Sequence, residues 1–115
     1  MLAANYDITL DRAADYSFVL TIQNQAGAAV NITGATFYAD VREVASKKEV
    51  LDLTPAISGS AANGQVLISL TKADTKTLRA GKGIYEWDLF MDRSSTRTRL
   101  LYGSLTARAQ ITNDA

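Results

Sequence analysis

The 115-residue chain contains no cysteine, no histidine and a single proline, Pro55. Without cysteine there can be no disulfide framework and no thiolate metal site. Without histidine the commonest general base and the commonest transition-metal ligand are both missing. Neither sign of charge is in excess: 12 basic and 12 acidic residues give a formal net charge of +0. That balance implies no bulk attraction to nucleic acid or to an anionic membrane, so neither is an expected partner. No apolar run approaches the roughly 18 residues of a membrane helix. The stretch Met1–Asp7 has no basic segment followed by an apolar one, so a signal peptide is not expected. The protein is then expected to stay in the cytoplasm where it is made, unless a larger assembly carries it out.

What is present is a 47% apolar chain, enough for one core over residues 1–115 and against disorder. The apolar residues recur with period two. In Gly83–Asp92, Tyr85, Trp87, Leu89 and Met91 share one parity, while Glu86, Asp88 and Asp92 take the other. This is the pattern of a half-buried strand with the only Trp at its centre. Similar alternation predicts strands over Tyr6–Leu10, Tyr16–Gln23, Thr36–Glu43, Glu49–Leu53, Gln65–Leu70 and Arg97–Tyr102, and a last one through Leu105, Ala107, Ala109 and Ile111. Turns are expected at Asn24–Gly27, Asn63-Gly64 and Asp92–Thr96, with a bulge or bend at Gly103. One segment departs from the pattern. Thr71–Leu78 is rich in helix formers, and Asp74 stands three residues after the N-cap candidate Thr71, so a short helix is expected over 71–78. Many short strands with spaced turns and one short helix make a small antiparallel β-sandwich.

Chemistry is thinly represented. Asp7, Asp11 and Asp15 lack the close oxygen-ligand spacing and sharp glycine turn of a Ca²⁺ loop and read as corner charges. Glu86 and Asp88 share a strand face, where a glycosidase pair would straddle a cleft; cross-strand pairing with Arg97 or Arg99 is expected instead. Gly81-Lys82-Gly83 precedes a strand rather than a helix, so it is no phosphate cradle. No catalytic residue, cofactor or metal site is predicted, and the protein is not expected to be an enzyme. Binding surfaces are better represented. Lys72, Lys76, Arg79 and Lys82, with Arg93, Arg97 and Arg99, form two basic segments expected to make one protein-facing patch. Tyr38 and Phe90 fall on the opposite parity to their strands' apolar set and mark a second expected contact surface. Tyr6, Tyr16, Phe18, Phe37, Trp87 and Tyr102 align with aliphatic neighbours and are expected to face inward.

The order of motifs resembles a known family. Tyr6-Asp7-Ile8-Thr9-Leu10 leads into Asp15-Tyr16-Ser17-Phe18-Val19-Leu20-Thr21-Ile22, and Val30-Asn31-Ile32-Thr33-Gly34 precedes the strand ending at Arg42. Asn63-Gly64-Gln65-Val66 runs to Leu70-Thr71 ahead of the short helix, and Arg99–Thr106 closes the domain. Over nearly its whole length the chain resembles immunoglobulin-like virion proteins of tailed bacteriophages. It is especially similar to the N-terminal domain of the baseplate upper protein family. That resemblance implies an all-β, immunoglobulin-like antiparallel sandwich working as a tail or baseplate adaptor in the virion, in several copies or as a homo-oligomer, contacting other virion proteins. Members of that family continue into a helical stem and further domains, so a chain ending at Ala115 is expected to act as the attachment module alone. A capsid decoration protein, or a carbohydrate-binding module for the host surface, are the alternative readings.

Overall fold

The computed structural model describes residues 4–24, 26–109 and 111. Met1–Ala3, Gln25 within the first expected turn, and Gln110 and Thr112–Ala115 at the C-terminal end lie outside the described residues. The strands are β1 (Ala4–Asn5), β2 (Ile8–Asp11), β3 (Tyr16–Thr21), β4 (Thr36–Glu43), β5 (Glu49–Asp52), β6 (Ala56–Ile57), β7 (Gln65–Leu70), β8 (Gly81–Arg93) and β9 (Thr96–Arg108). A 3-10 turn covers Ala61–Asn63, and helix α1 spans Lys72–Lys76.

Two sheets face each other. The wide one has the order β1-β9-β8-β4-β5, with β2 also on β9, and the narrow one is β3-β7-β6. This is the strand order of an immunoglobulin-like sandwich whose wide sheet carries an extra strand, β5, beside β4. The core lies between the sheets: Ile8, Leu10, Ala39, Val41, Val66, Ile68, Leu89 and Leu105 are all buried. The expected all-antiparallel arrangement holds everywhere except one edge, where β1 and β2 run parallel to β9. They are two segments of one extended strand, parted at Tyr6-Asp7.

The corner before β8 is built from side chains. Thr71 and Asp74 exchange the two hydrogen bonds of a capping box (3.3 and 3.2 Å), as their spacing predicts. Arg12 Nε donates to the Leu78 carbonyl at 2.6 Å, tying the first corner to the helix exit. The Tyr85 hydroxyl accepts from the Arg79 amide at 2.8 Å. A buried tyrosine near the start of this strand, bonded back to the preceding corner, is the tyrosine corner of immunoglobulin-like sandwiches. Two residues later, where antibody domains place a cysteine of the inter-sheet disulfide, this chain has Trp87. Its ring meets Phe18 of β3 edge-to-face at 6.4 Å, and Phe18 stacks on Tyr6 at 5.3 Å. An aromatic bridge between the sheets thus stands where a disulfide would, which accounts for a cysteine-free sandwich.

Trp87 also explains Gly103. Its indole N–H donates to the Tyr6 carbonyl at 2.8 Å. Gly103 pairs with Trp87 across the ladder, and a Cβ on it would lie 2.3 Å from that same carbonyl oxygen. Only glycine lets the N-terminal segment approach closely enough to satisfy the buried indole. Gly103 is therefore a point of close approach, and the expected bulge falls at Leu100, the residue skipped between the Leu89–Leu101 and Phe90–Arg99 pairs. That extra residue shifts the parity of β9. It turns Tyr102 outward, 38% exposed, where strict alternation from Arg97 predicted it inside. Tyr6, 45% exposed, is likewise less buried than expected, because the chain bends at Tyr6-Asp7 to reach Trp87. The last strand ends at Arg108 rather than Ile111, and the expected turn at Asn63-Gly64 closes the 3-10 segment that connects β6 to β7.

Candidate protein-interaction face

The outward side of the wide sheet holds most of the chemistry the chain possesses. Register sets it out in rows running across the strands. Tyr38 of β4 lies opposite Phe90 of β8, which lies opposite Arg99 of β9. The next row runs Asp52, Asp40, Asp88 and Tyr102 across β5, β4, β8 and β9. Beyond it come Glu49, Arg42, Glu86 and Ser104. A strand presents alternate residues to one face, so all of these side chains point the same way.

The rows are joined by contacts between charged and aromatic groups. The Arg97 guanidinium lies over the Tyr38 ring, 5.2 Å from its centroid, and Arg99 lies over Tyr102 at 5.0 Å. Arg97 also grips Asp92 with two hydrogen bonds of 2.6 and 2.8 Å, the fork geometry that fixes a guanidinium in place. That pairing holds the Asp92 carboxyl below its ordinary value and raises Arg97. Arg99 approaches Asp88 at 3.4 Å, as expected, whereas Glu86 pairs with Lys47 (3.3 Å) rather than with an arginine of β9.

Asp40 and Asp88 are the exception. They are direct cross-strand neighbours with like charge, as Asp52 is of Asp40 on its other side, a destabilising placement. Partial burial pushes both carboxyls above their ordinary values. Glu49 and Asp52 push Asp40 further, and Arg99 partly offsets the rise at Asp88. Beside them a concavity of about 580 Å³ opens, lined by Asp40, Arg42, Glu86, Asp88, Arg99 and Tyr102 among others.

The structure regroups the residues that sequence reasoning had assigned to two surfaces. Tyr38 (47% exposed), Arg97 and Arg99 share this face with Phe90, which is half-buried because Tyr38 and Arg99 flank it. The two basic segments are not brought together. Gly81 pairs with Ala107 while Asp92 pairs with Arg97. Ten residues of strand separate these positions along β9, so the two ends lie about 30 Å apart. Lys72, Lys76, Arg79 and Lys82 cluster at the α1 end, where the Lys72 amide donates to Asp15 and Arg79 pairs with Glu43 at 3.1 Å. Arg93 has the inward parity of its strand and donates to the Asn31 carbonyl instead of joining the face. Asp7 and Asp11 serve the edge strand, accepting from the Ser104 amide and pairing with Arg108. Among the described residues no group of three His, Cys, Asp or Glu side chains is arranged to hold a metal ion. The face also includes residues that sequence reasoning did not assign to a contact surface: Tyr102, Asp40 and Arg42, with Glu49, Asp52 and Ser104 at its margins. The adjacent leucines Leu100-Leu101 were the available sign of the parity shift that exposes Tyr102.

No protein-family model matches the sequence, and no curated protein matches it. Among solved structures the chain is similar to the insect immune protein hemolin, at 10% identity over 98% of this chain and 27% of that one, with a TM-score of 0.48. This chain therefore spans about a quarter of the hemolin chain. It is also similar to the extracellular domain of the voltage-gated sodium channel beta4 subunit, at 13% identity over 96% and 97% of the two chains, with a TM-score of 0.45. A third likeness is to a chain in the complex of ICOS with ICOS-L and a VNAR domain (9% identity, 93% and 55% covered, TM-score 0.46). The immunoglobulin-like character of the sandwich rests on its strand order and its tyrosine corner.

Proposed function

We propose that this chain is a structural protein of a tailed-phage particle, an attachment module that docks other virion proteins through the outward face of its wide sheet. The order of sequence motifs supports the phage setting. The docking face is supported by one observation above all: Tyr38, Phe90, Tyr102, Arg97 and Arg99 lie together on three adjacent strands, with each exposed tyrosine ring under an arginine. Tyrosine and arginine are the residue types that dominate binding energy at protein interfaces, and a sheet holds them with little entropy left to lose. In this reading the protein catalyses nothing, resides in the virion, and acts by repeated modest contacts between rigid parts.

The test is incorporation. With Arg97→Glu and Arg99→Glu combined, the isolated protein should keep its β-sheet circular dichroism while its copy number in purified particles falls at least about tenfold, the scale of losing one strong interface residue. Incorporation at the wild-type level would remove this face from the assembly role. Absence of the wild-type protein from particles would remove the virion reading altogether.

The concavity beside Tyr102 favours one further reading, a site for a host-surface carbohydrate. Its lining of carboxylates, arginines and one exposed tyrosine offers the hydrogen bonds and ring face that a sugar requires. A glycan array probed with wild type and with Tyr102→Ala separates the two readings. Glycan binding lost in the variant would favour the carbohydrate site.

A further inference from the structure

The four sheet edges differ in how they are protected, and one is bare. In the wide sheet, β5 is short and carries Glu49 and Asp52 at its ends. The opposite edge is broken into β1 and β2 by the bend at Tyr6-Asp7 and ends at Asp11. In the narrow sheet, β6 is two residues long and follows Pro55. Short strands, charges, bends and proline are the devices that stop an edge from pairing with another chain. Strand β3 has none of them. Its six residues, Tyr-Ser-Phe-Val-Leu-Thr, are uncharged, contain neither glycine nor proline, and pair only with β7 among the described residues.

The orientation of that edge follows from its ladder. The Ile22 amide donates to the Gly64 carbonyl, in register with the β3–β7 pairing, so Leu20, Phe18 and Tyr16 direct their backbone groups at β7. Ser17, Val19 and Thr21 must then direct theirs away from it, and their side chains are exposed, Val19 at 49%. The core is also incomplete along this line. Tyr16, Phe18 and Leu20 point inward yet are only half-buried, whereas their β7 partners Leu70, Ile68 and Val66 are buried.

We infer that the β3 edge is a self-association surface, occupied by β3 of a second copy in antiparallel pairing about a two-fold axis at Val19. Centred there, Val19 meets Val19 of the second copy, and Ser17 meets Thr21 in both directions. The three residues with outward backbone groups thus pair only with one another, through about six hydrogen bonds. On the exposed side apolar meets apolar and hydroxyl meets hydroxyl. On the inner side Phe18 meets Leu20, extending the core over the side chains now left half-open. No charge from either strand opposes the contact, and the row of Val19, Leu67 and Ala56 becomes continuous across the dimer. The narrow sheets of the two copies merge into one of six strands, leaving the wide-sheet faces free.

The contact is small, so a dissociation constant on the order of 100 µM is expected. Sedimentation equilibrium from micromolar to millimolar protein should show a monomer–dimer equilibrium in the wild type. Val19→Lys should raise the dissociation constant at least about tenfold, since it sets like charges opposite each other without touching the monomer core. Because the chain has no cysteine, single Val19→Cys and Tyr38→Cys variants report the interface directly: the first should oxidise to a disulfide dimer and the second should not. A wild type that stays monomeric would overturn the inference, as would a dimer unaffected by Val19→Lys or one cross-linked through Tyr38→Cys. Dimerisation that appears only after deletion of Met1–Ala3 would overturn it too, by showing that the chain's own N-terminus takes the edge.

Discussion

Across β4, β8 and β9 the outward residues include Tyr38, Asp40, Arg42, Asp88, Arg97 and Arg99, whereas across β3 and β7 they are Ser17, Val19, Thr21, Gln65, Leu67 and Ser69. The same interior therefore supports one charged, aromatic face and one that carries no charge at all. The two sides also differ in how far they obey local rules. The wide sheet holds three carboxylates in direct register, a glycine that no other residue can replace, and a two-residue hairpin turn with serine at both positive-φ positions. The narrow sheet has regular alternation and no such exceptions within its strands. Broken local rules concentrate where a surface serves something other than the fold, so the wide sheet is the side to examine for binding. The narrow sheet's uncharged edge is suited to contact between copies.

The exceptions on the wide sheet are not alike, and substitution separates them. Gly103 is required by the fold. Gly103→Ala would set a Cβ 2.3 Å from the Tyr6 carbonyl oxygen and 2.7 Å from its carbon, so backbone must move. That displaces the acceptor of the Trp87 indole. The expected loss is about 3 kcal/mol, combining overpacking with a buried donor left unpaired. Urea unfolding should show a lower midpoint, and the Trp87 fluorescence of the folded state should change with its surroundings. An unchanged midpoint would mean that the Tyr6 contact does not hold the strand in place. The matching change on the narrow sheet, Ser17→Ala, should leave stability within about 0.5 kcal/mol, as surface substitutions usually do.

The β8–β9 turn is an exception the fold does not require. Ser94 and Ser95 have φ of 53° and 64°, the left-handed conformation of a type I′ turn, which asparagine and glycine adopt far more readily. Ser94→Asn with Ser95→Gly should stabilise the protein by about 1 kcal/mol, read as a raised urea midpoint at unchanged slope. If the turn instead serves the contact surface, the same variant would gain stability while losing incorporation into particles. That outcome would extend the binding face to the tip of the hairpin.

Features set by local sequence were legible from it. The period-two run around Trp87 gave its strand and inward face, and Thr71 with Asp74 gave the capped helix. Features set by long-range register were not. Nothing near Asp40 in the chain indicates that Asp88, 48 residues on, lies directly opposite, because strand pairing is decided by the whole sheet. For the same reason Arg97 and Arg99 were grouped with Lys72–Lys82 by composition, when pairing places them beside Tyr38 and Phe90. Tyr102 was misplaced by a single extra residue at Leu100, and the parallel edge strand escaped because period two carries no direction.

The smallest expected effect bears most directly on the contrast between the faces. Asp40 is held above the ordinary carboxylate value by burial first and then by Glu49 and Asp52, and no ion pair within 4.0 Å relieves it among the described residues. A carboxyl raised in the folded state binds its proton more tightly there than in the unfolded chain. Its favourable contribution is complete below the unfolded value of about 3.8 and is lost as pH rises through the folded value. Asp40→Asn removes that loss while keeping the shape. The variant should match wild type near pH 3 and exceed it at pH 7 by about 0.5 kcal/mol, the scale of one unfavourable cross-strand pair. Asp88→Asn should gain less, because it also gives up the contact with Arg99. If Asp40→Asn is more stable at pH 7 and also binds its partner less well, the repulsion serves recognition: a cationic group of the partner would relieve it only in the complex. If it is more stable and binds as before, the acidic row is tolerated rather than used, and the binding energy of the face resides in Tyr38, Tyr102 and their arginines.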